Sequence, residues 1–137
     1  MIALDWFAGR WVLTREITDY RADLVGRFTG SAVWTPQGDG LLQVEDGTLR
    51  YGSAPPMQAS RRYLWQGQGQ GAEIDVFFDD GRPFHRVPAP GQEALHDCPP
   101  DTYRVRYAFD GPDRFTTRWR VTGPRKDMLL ETLFERD

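Results

Sequence analysis

Alternation of apolar and polar residues with a period of two runs through most of the chain and constrains its fold more than any other feature. From Trp11 it reads Trp11, Leu13, Arg15 and Ile17 on one face, against Arg10, Val12, Thr14 and Glu16 on the other. From Phe28 it reads Phe28, Gly30, Ala32 and Trp34 against Arg27, Thr29, Ser31 and Val33. Successive side chains of a strand point to opposite faces, so these stretches predict strands with one buried face. The pattern returns at Met57, Ala59, Arg61, Tyr63 and Trp65, and again at Ile74, Val76 and Phe78. Near the C-terminus it continues in three clean runs that start at Tyr103, Phe115 and Met128. Only the segment from Ile2 to Phe7 suits a helical turn.

Turn signals separate these runs: "TPQGDG" at 35 to 40, the Asp-Gly of "EDGT", "QGQGQG", Asp80-Gly81, "DGPD" and "TGPRKD". "RPFHRV" and "EALHDC" read as two short strands across a "PAPG" turn. The tally is nine or ten strands at the close spacing of a sandwich or barrel. An antiparallel sheet whose strands are each half polar must bury one face on itself, and closure removes edges that invite aggregation. The expectation is an all-β chain forming one antiparallel up-and-down β-barrel over residues 1–137, with a short N-terminal helical turn.

A chain of 137 residues is long enough for one core and short for two. Its net charge of −3 argues against a general nucleic-acid binder. Lys126 is the only lysine, and Cys98 is the only cysteine, which rules out an intrachain disulfide. The start of the chain lacks the charged and apolar regions of a signal peptide, and no apolar run approaches a membrane span. A cytoplasmic protein with a small-molecule partner, and with neither nucleic acid nor membrane, is expected.

"FAGRW", at the head of the first long strand, resembles the Gly-x-Trp of calycins, the lipocalin and fatty-acid-binding group. That resemblance implies that Trp11 closes one end of a barrel, with a basic side chain from near the last strands packed across its ring. Arg118, Arg120 and Arg125, in "RFTTRWRVTGPRKD", are the candidates for that partner. The wider set "FAGRW", "RRYLW", "DGRPFH", "HDCPPDTY" and "WRVTGPRKD" resembles a family of small bacterial proteins of unknown function. It covers nearly the whole chain, implies a calycin-like barrel, and brings no activity or functional residue with it. Some calycin-like proteins bind haem through a histidine near the end of the barrel. Both histidines here, His85 and His96, lie in the middle third, so no cofactor is expected.

Arg15 and Arg61 share parity with residues that otherwise look buried. A charge in an apolar interior needs a carboxylate, a phosphate or water, and the planar guanidinium suits the two oxygens of an anion. Inward Tyr63, Tyr103 and Tyr107 could add hydroxyls, giving an arginine–tyrosine anchor for an acidic head group in an apolar cavity. Alternatively, a bulge turns the arginines outward, or internal Glu or Asp residues neutralise them.

His85, His96, Cys98 and Asp101 form a second constellation. Two imidazoles and a thiolate could hold a catalytic zinc at the barrel mouth, or a Cys–His pair could act as a nucleophile with Asp101 as orienter. The spacing matches no strong metal motif, and buried histidines and lone cysteines are more often structural or passive pocket lining, which places His85 and His96 with the ligand-binding set. An arginine stripe at Arg104, Arg106, Arg114, Arg118 and Arg120 could bind a partner. Acidic residues at Glu73, Asp75, Glu131 and Glu135 could instead pair with it across strands.

Overall fold

A computed structural model describes residues 2–67 and 73–137. A single 3-10 turn, Leu4–Phe7, precedes ten strands. They are β1 (Gly9–Asp19), β2 (Leu24–Gln37), β3 (Gly40–Tyr51), β4 (Met57–Gly67), β5 (Ile74–Phe78), β6 (Pro83–Arg86), β7 (Ala94–Cys98), β8 (Asp101–Phe109), β9 (Arg114–Thr122) and β10 (Asp127–Arg136). The "QGQGQG" loop expected after β4 falls largely outside the described residues. Among the described residues no helix is long and apolar enough to cross a membrane.

Every pairing is antiparallel, and the sheet runs β6-β5-β4-β3-β2-β1-β10-β9-β8-β7. This is an up-and-down meander whose first and last strands pair, Trp11 lying opposite Arg136 and Ile17 opposite Leu130. The result is an almost closed, calycin-like barrel. Its inner face carries the residues whose parity marked them as buried: Trp11, Leu13, Phe28, Ala32, Trp34, Trp65, Val105 and Phe115.

Two local expectations need correction. "RPFHRV" and "EALHDC" do form strands, but not a hairpin. β6 pairs with β5, β7 pairs with β8, and the two lie at opposite ends of the sheet. The "PAPG" stretch between them carries Pro88 and Pro90, which have no N–H to give a ladder. The barrel therefore meets itself along a β6/β7 seam through side chains. The β5–β6 register shifts between Val76 and Phe77, where Phe84 of β6 is the extra, bulged residue.

The second correction concerns Asp46-Gly47, which is no turn. β3 runs through it, with Gly47 opposite Gly30 on β2 and Ala59 on β4. A Cβ on Gly30 would run into the Asp46 carbonyl, and one on Gly47 into the Thr29 carbonyl. The facing glycines let two long strands approach and bend where a side chain would hold them apart. Gly30→Ala is expected to cost about 2 kcal/mol through this overpacking, measured by urea denaturation.

Candidate functional site

The N-terminal end of the barrel is sealed by the short 3-10 turn. Gly9 has φ +114°, a left-handed conformation that lets the chain leave this turn and enter β1. Phe7 and Trp11 are fully buried, and the Trp11 indole donates to the Phe7 carbonyl at 2.8 Å. Phe115 stacks on Phe134 at 4.3 Å between ring centroids, and Phe7 lies 4.8 Å from Trp65. Aromatic rings thus fill this end.

The guanidinium over Trp11 belongs to Arg136, the last residue of β10, at 4.2 Å from the ring centroid. It also donates to the carbonyls of Trp6 and Ala8 and pairs with Asp113. The three arginines expected there lie elsewhere. Arg118 faces outward and pairs with Glu131. Arg120 stacks on Tyr20 and pairs with Asp127. Arg125 is exposed in the β9–β10 turn. The β1–β10 register decides this, because it sets Arg136 opposite Trp11.

Above the plug lies a cavity of about 100 Å³. Trp34, Trp65, Phe115 and Phe134 form its floor, Gln43, Glu45, His85, Tyr107 and Trp119 line its walls, and Arg61, Tyr63 and Tyr103 stand at its other end. Ligand cavities of drug size run to about 300–1,000 Å³, and a cavity of about 150 Å³ already holds benzene. The space is smaller than either, enough for a few waters or for the buried end of a compact ligand.

Both arginines that share the inner parity reach this cavity, in different states. Arg15 is held in a fork by Glu45, with nitrogen–oxygen distances of 3.1 and 2.9 Å, and its Nε donates to Thr132. Glu45 also accepts from Gln43, whose own carbonyl oxygen accepts from the Trp65 indole at 2.7 Å. The Arg15 charge is thus neutralised inside the protein. Arg61 stands at the rim, exposed overall, with its head group turned to the lining. Desolvation disfavours its charge, but the Tyr63 hydroxyl, Glu45 and Tyr103 outweigh that and raise its pKa.

His85 lies on the inner face of β6, opposite Val76, and its Nε2 meets the Tyr107 hydroxyl at 2.8 Å. Among the described residues its Nδ1 has no hydrogen-bond partner, and neither has the Trp34 indole nitrogen. Burial, assisted by His96, lowers the His85 pKa from 6.5 to about 3. Above pH 6.5 the imidazole is neutral folded or unfolded. As pH falls from 6.5 toward 3, the unfolded chain takes up a proton that the fold does not, so stability is lost. On the order of 2 kcal/mol is expected to disappear between pH 6.5 and 4.5 in the wild type and to be retained in His85→Gln, by urea denaturation at both pH values.

Phe84, the bulged residue, is packed into the barrel together with its neighbour His85. It stacks parallel to Trp119 at 4.9 Å and near-parallel to Tyr63 at 5.6 Å. Parity alone had no means of placing both residues inside. The one signal was the Asp-Gly turn just before them, where a bulge could start. His96 is half-buried on the same side, against Phe84, Phe78 and Tyr103, and burial lowers its pKa.

The His/Cys/Asp constellation does not converge. Cys98 is exposed at the end of β7, Asp101 pairs with Lys126, and Tyr107 is the hydrogen-bond partner of His85. Among the described residues no three His, Cys, Asp or Glu side chains gather as a metal would require. On the outer face Arg104 and Arg106 meet Glu93, and Arg114 meets Glu135. Glu73 and Asp75 pair instead with Arg86.

The fold is similar to that of an S-type phycobiliprotein lyase from Guillardia theta, with a TM-score of 0.57 at 11% identity over 98% of this chain and 90% of that one. It is also similar to a de novo designed fluorescence-activating β-barrel, at 0.48 and 12% identity over 100% of both chains. A redesigned barrel bound to DFHBI scores 0.46 at 9% identity, over 96% of this chain and 99% of that one. No curated protein matches the chain. Residues 7–136, from the plug phenylalanine to the arginine that caps Trp11, match a family model, and the chain belongs to that family of unknown function, DUF6314.

Proposed function

We propose that this barrel binds a small, partly apolar anion, with Arg61 as its counter-charge and the Tyr63 and Tyr103 hydroxyls as hydrogen-bond partners. One observation carries the reading. Of the two arginines facing the lumen, Arg15 is occupied by the Glu45 fork, whereas no ion pair holds Arg61 among the described residues, and Tyr63 and Tyr103 line the cavity beside it. A guanidinium beside neutral hydroxyls, partly desolvated at the end of an aromatic cavity, recognises a carboxylate strongly.

The volume of about 100 Å³ favours a compact ligand over a long acyl chain or a haem. His85 and Tyr107 serve this site as a neutral, polar wall, and His96 as part of its rim. The acid-paired outer arginines and the mild negative charge favour a cytoplasmic protein with no nucleic-acid or membrane partner.

Native mass spectrometry of freshly purified protein tests the reading, followed by titration with benzoate. A bound acid or saturable benzoate binding is expected, at least tenfold weaker in Arg61→Met. Binding unchanged in that variant, or no binding of any small acid, would remove the reading.

A further inference from the structure

The lumen is not one space. Beside the aromatic cavity lies a smaller chamber of about 60 Å³, walled by Ile17, Phe28, Leu49, Ala59 and Leu130. Arg15, Glu45, Arg61 and Leu130 line both spaces, so these side chains form the partition between them. The first chamber is walled largely by rings, among them Trp34, Trp65 and Trp119, whereas the second is mainly aliphatic. Arg61 also borders an outer hollow with Ser60, Arg62, Phe78 and Asp79. It therefore stands where the two chambers and the exterior meet.

Water is a poor occupant of the smaller chamber, because a buried water needs several polar partners. All three Arg15 nitrogens are already engaged, Nε by Thr132 and the other two by Glu45. Both Glu45 oxygens are taken by Arg15, and one of them also by Gln43. Apart from Arg61, the remaining walls are hydrocarbon. The chamber therefore accepts an apolar group. At about 60 Å³ it is too small for a ring, since benzene occupies a cavity of about 150 Å³. A short alkyl arm fits it.

We propose that the ligand is a short carboxylic acid branched next to its carboxylate, with the carboxylate on Arg61 and one apolar arm in each chamber. The proposal rests on the anion reading above and deepens it. Because Arg61 borders both chambers, a carboxylate bound to it has an apolar space on either side. Two arms that diverge from the neighbouring carbon enter both spaces. An unbranched chain fills one chamber and leaves the lining of the other without contacts. Branching also keeps each arm short, as volumes of about 100 and 60 Å³ require.

Calorimetric titration with 2-propylpentanoate and octanoate tests this, with benzoate as the reference for the Arg61 site. The two aliphatic acids are isomers of equal charge that differ only in branching. The proposal expects 2-propylpentanoate to bind about fivefold or more tighter than octanoate. Ala59 lines the smaller chamber and not the aromatic one, so Ala59→Val narrows the first and leaves the second open. In this variant the advantage of the branched acid should fall below about twofold, while octanoate and benzoate affinities change little.

Equal affinity for the two isomers in the wild type, or tighter binding of octanoate, would overturn the branched ligand and leave the Arg61 site standing. An advantage that persists in Ala59→Val would overturn the smaller chamber as the seat of the second arm, and the proposal with it. Binding of benzoate alone would overturn the proposal but not the anion reading. No binding of any of the three would overturn both. The wild-type comparison of the isomers decides the matter even if the Ala59 variant folds poorly.

Discussion

Glu45→Ala is expected to lower the unfolding free energy by about 4 kcal/mol. The Arg15 and Glu45 side chains are 13% and 4% exposed, so their charges are largely out of water. Removing the carboxylate strands the Arg15 guanidinium among Phe28, Leu49 and Leu130, and the Gln43 amide loses its acceptor as well. Most of the cost comes from that uncompensated charge and not from the attraction within the pair. Replacing both partners, as Arg15→Met with Glu45→Leu, should therefore recover most of that loss, leaving about 1 kcal/mol or more for the unpaired Gln43 amide. Urea denaturation of the three variants checks this. A Glu45→Ala loss below about 1 kcal/mol would mean that water reaches Arg15 and that the pair is solvated.

Arg136→Ala is expected to cost about 3 kcal/mol, through loss of a desolvated cation–π contact together with charge-assisted hydrogen bonds. The guanidinium covers Trp11 at 4.2 Å and Trp6 at 5.4 Å while donating to the Trp6 and Ala8 carbonyls. It therefore ties the last strand to the plug that precedes the first. Its side chain is 28% exposed, and its partner Asp113 is mostly solvated, so that ion pair contributes little. Arg136→Lys keeps the charge but not the planar fork, and it should recover less than half of the loss. For a domain of this size the alanine variant should melt about 10 °C lower. Equal melting temperatures would show that the aromatic plug holds without its cap.

The sequence revealed the barrel because period two leaves a trace at every strand with one wet face. The parity of Arg15, Tyr63, Tyr103 and Tyr107 was readable for the same reason. Parity says which way a side chain points and nothing about who meets it. Glu45, the partner of Arg15, sits thirty positions away on a strand that the Asp-Gly signal had cut short. The cap of Trp11 was misplaced in the same way. Three arginines lay near the end of the chain, and only the β1–β10 register sets Arg136 opposite the tryptophan. Phe84 and His85 both face inward because a bulge breaks the alternation, and a pattern method reads a bulge as a loss of pattern. The cavity itself left no trace, since its volume is what remains once every ring has been packed.

The account stands on Arg61 as the lumen's available cation. Calorimetric titration of the wild type and Arg61→Met with benzoate, at low and moderate ionic strength, addresses that claim most directly. The account predicts saturable one-to-one binding in the wild type, at least tenfold weaker in the variant, with a modest salt dependence because the guanidinium is partly desolvated. Equal affinity in the two proteins, or no saturable binding in the wild type, would contradict it.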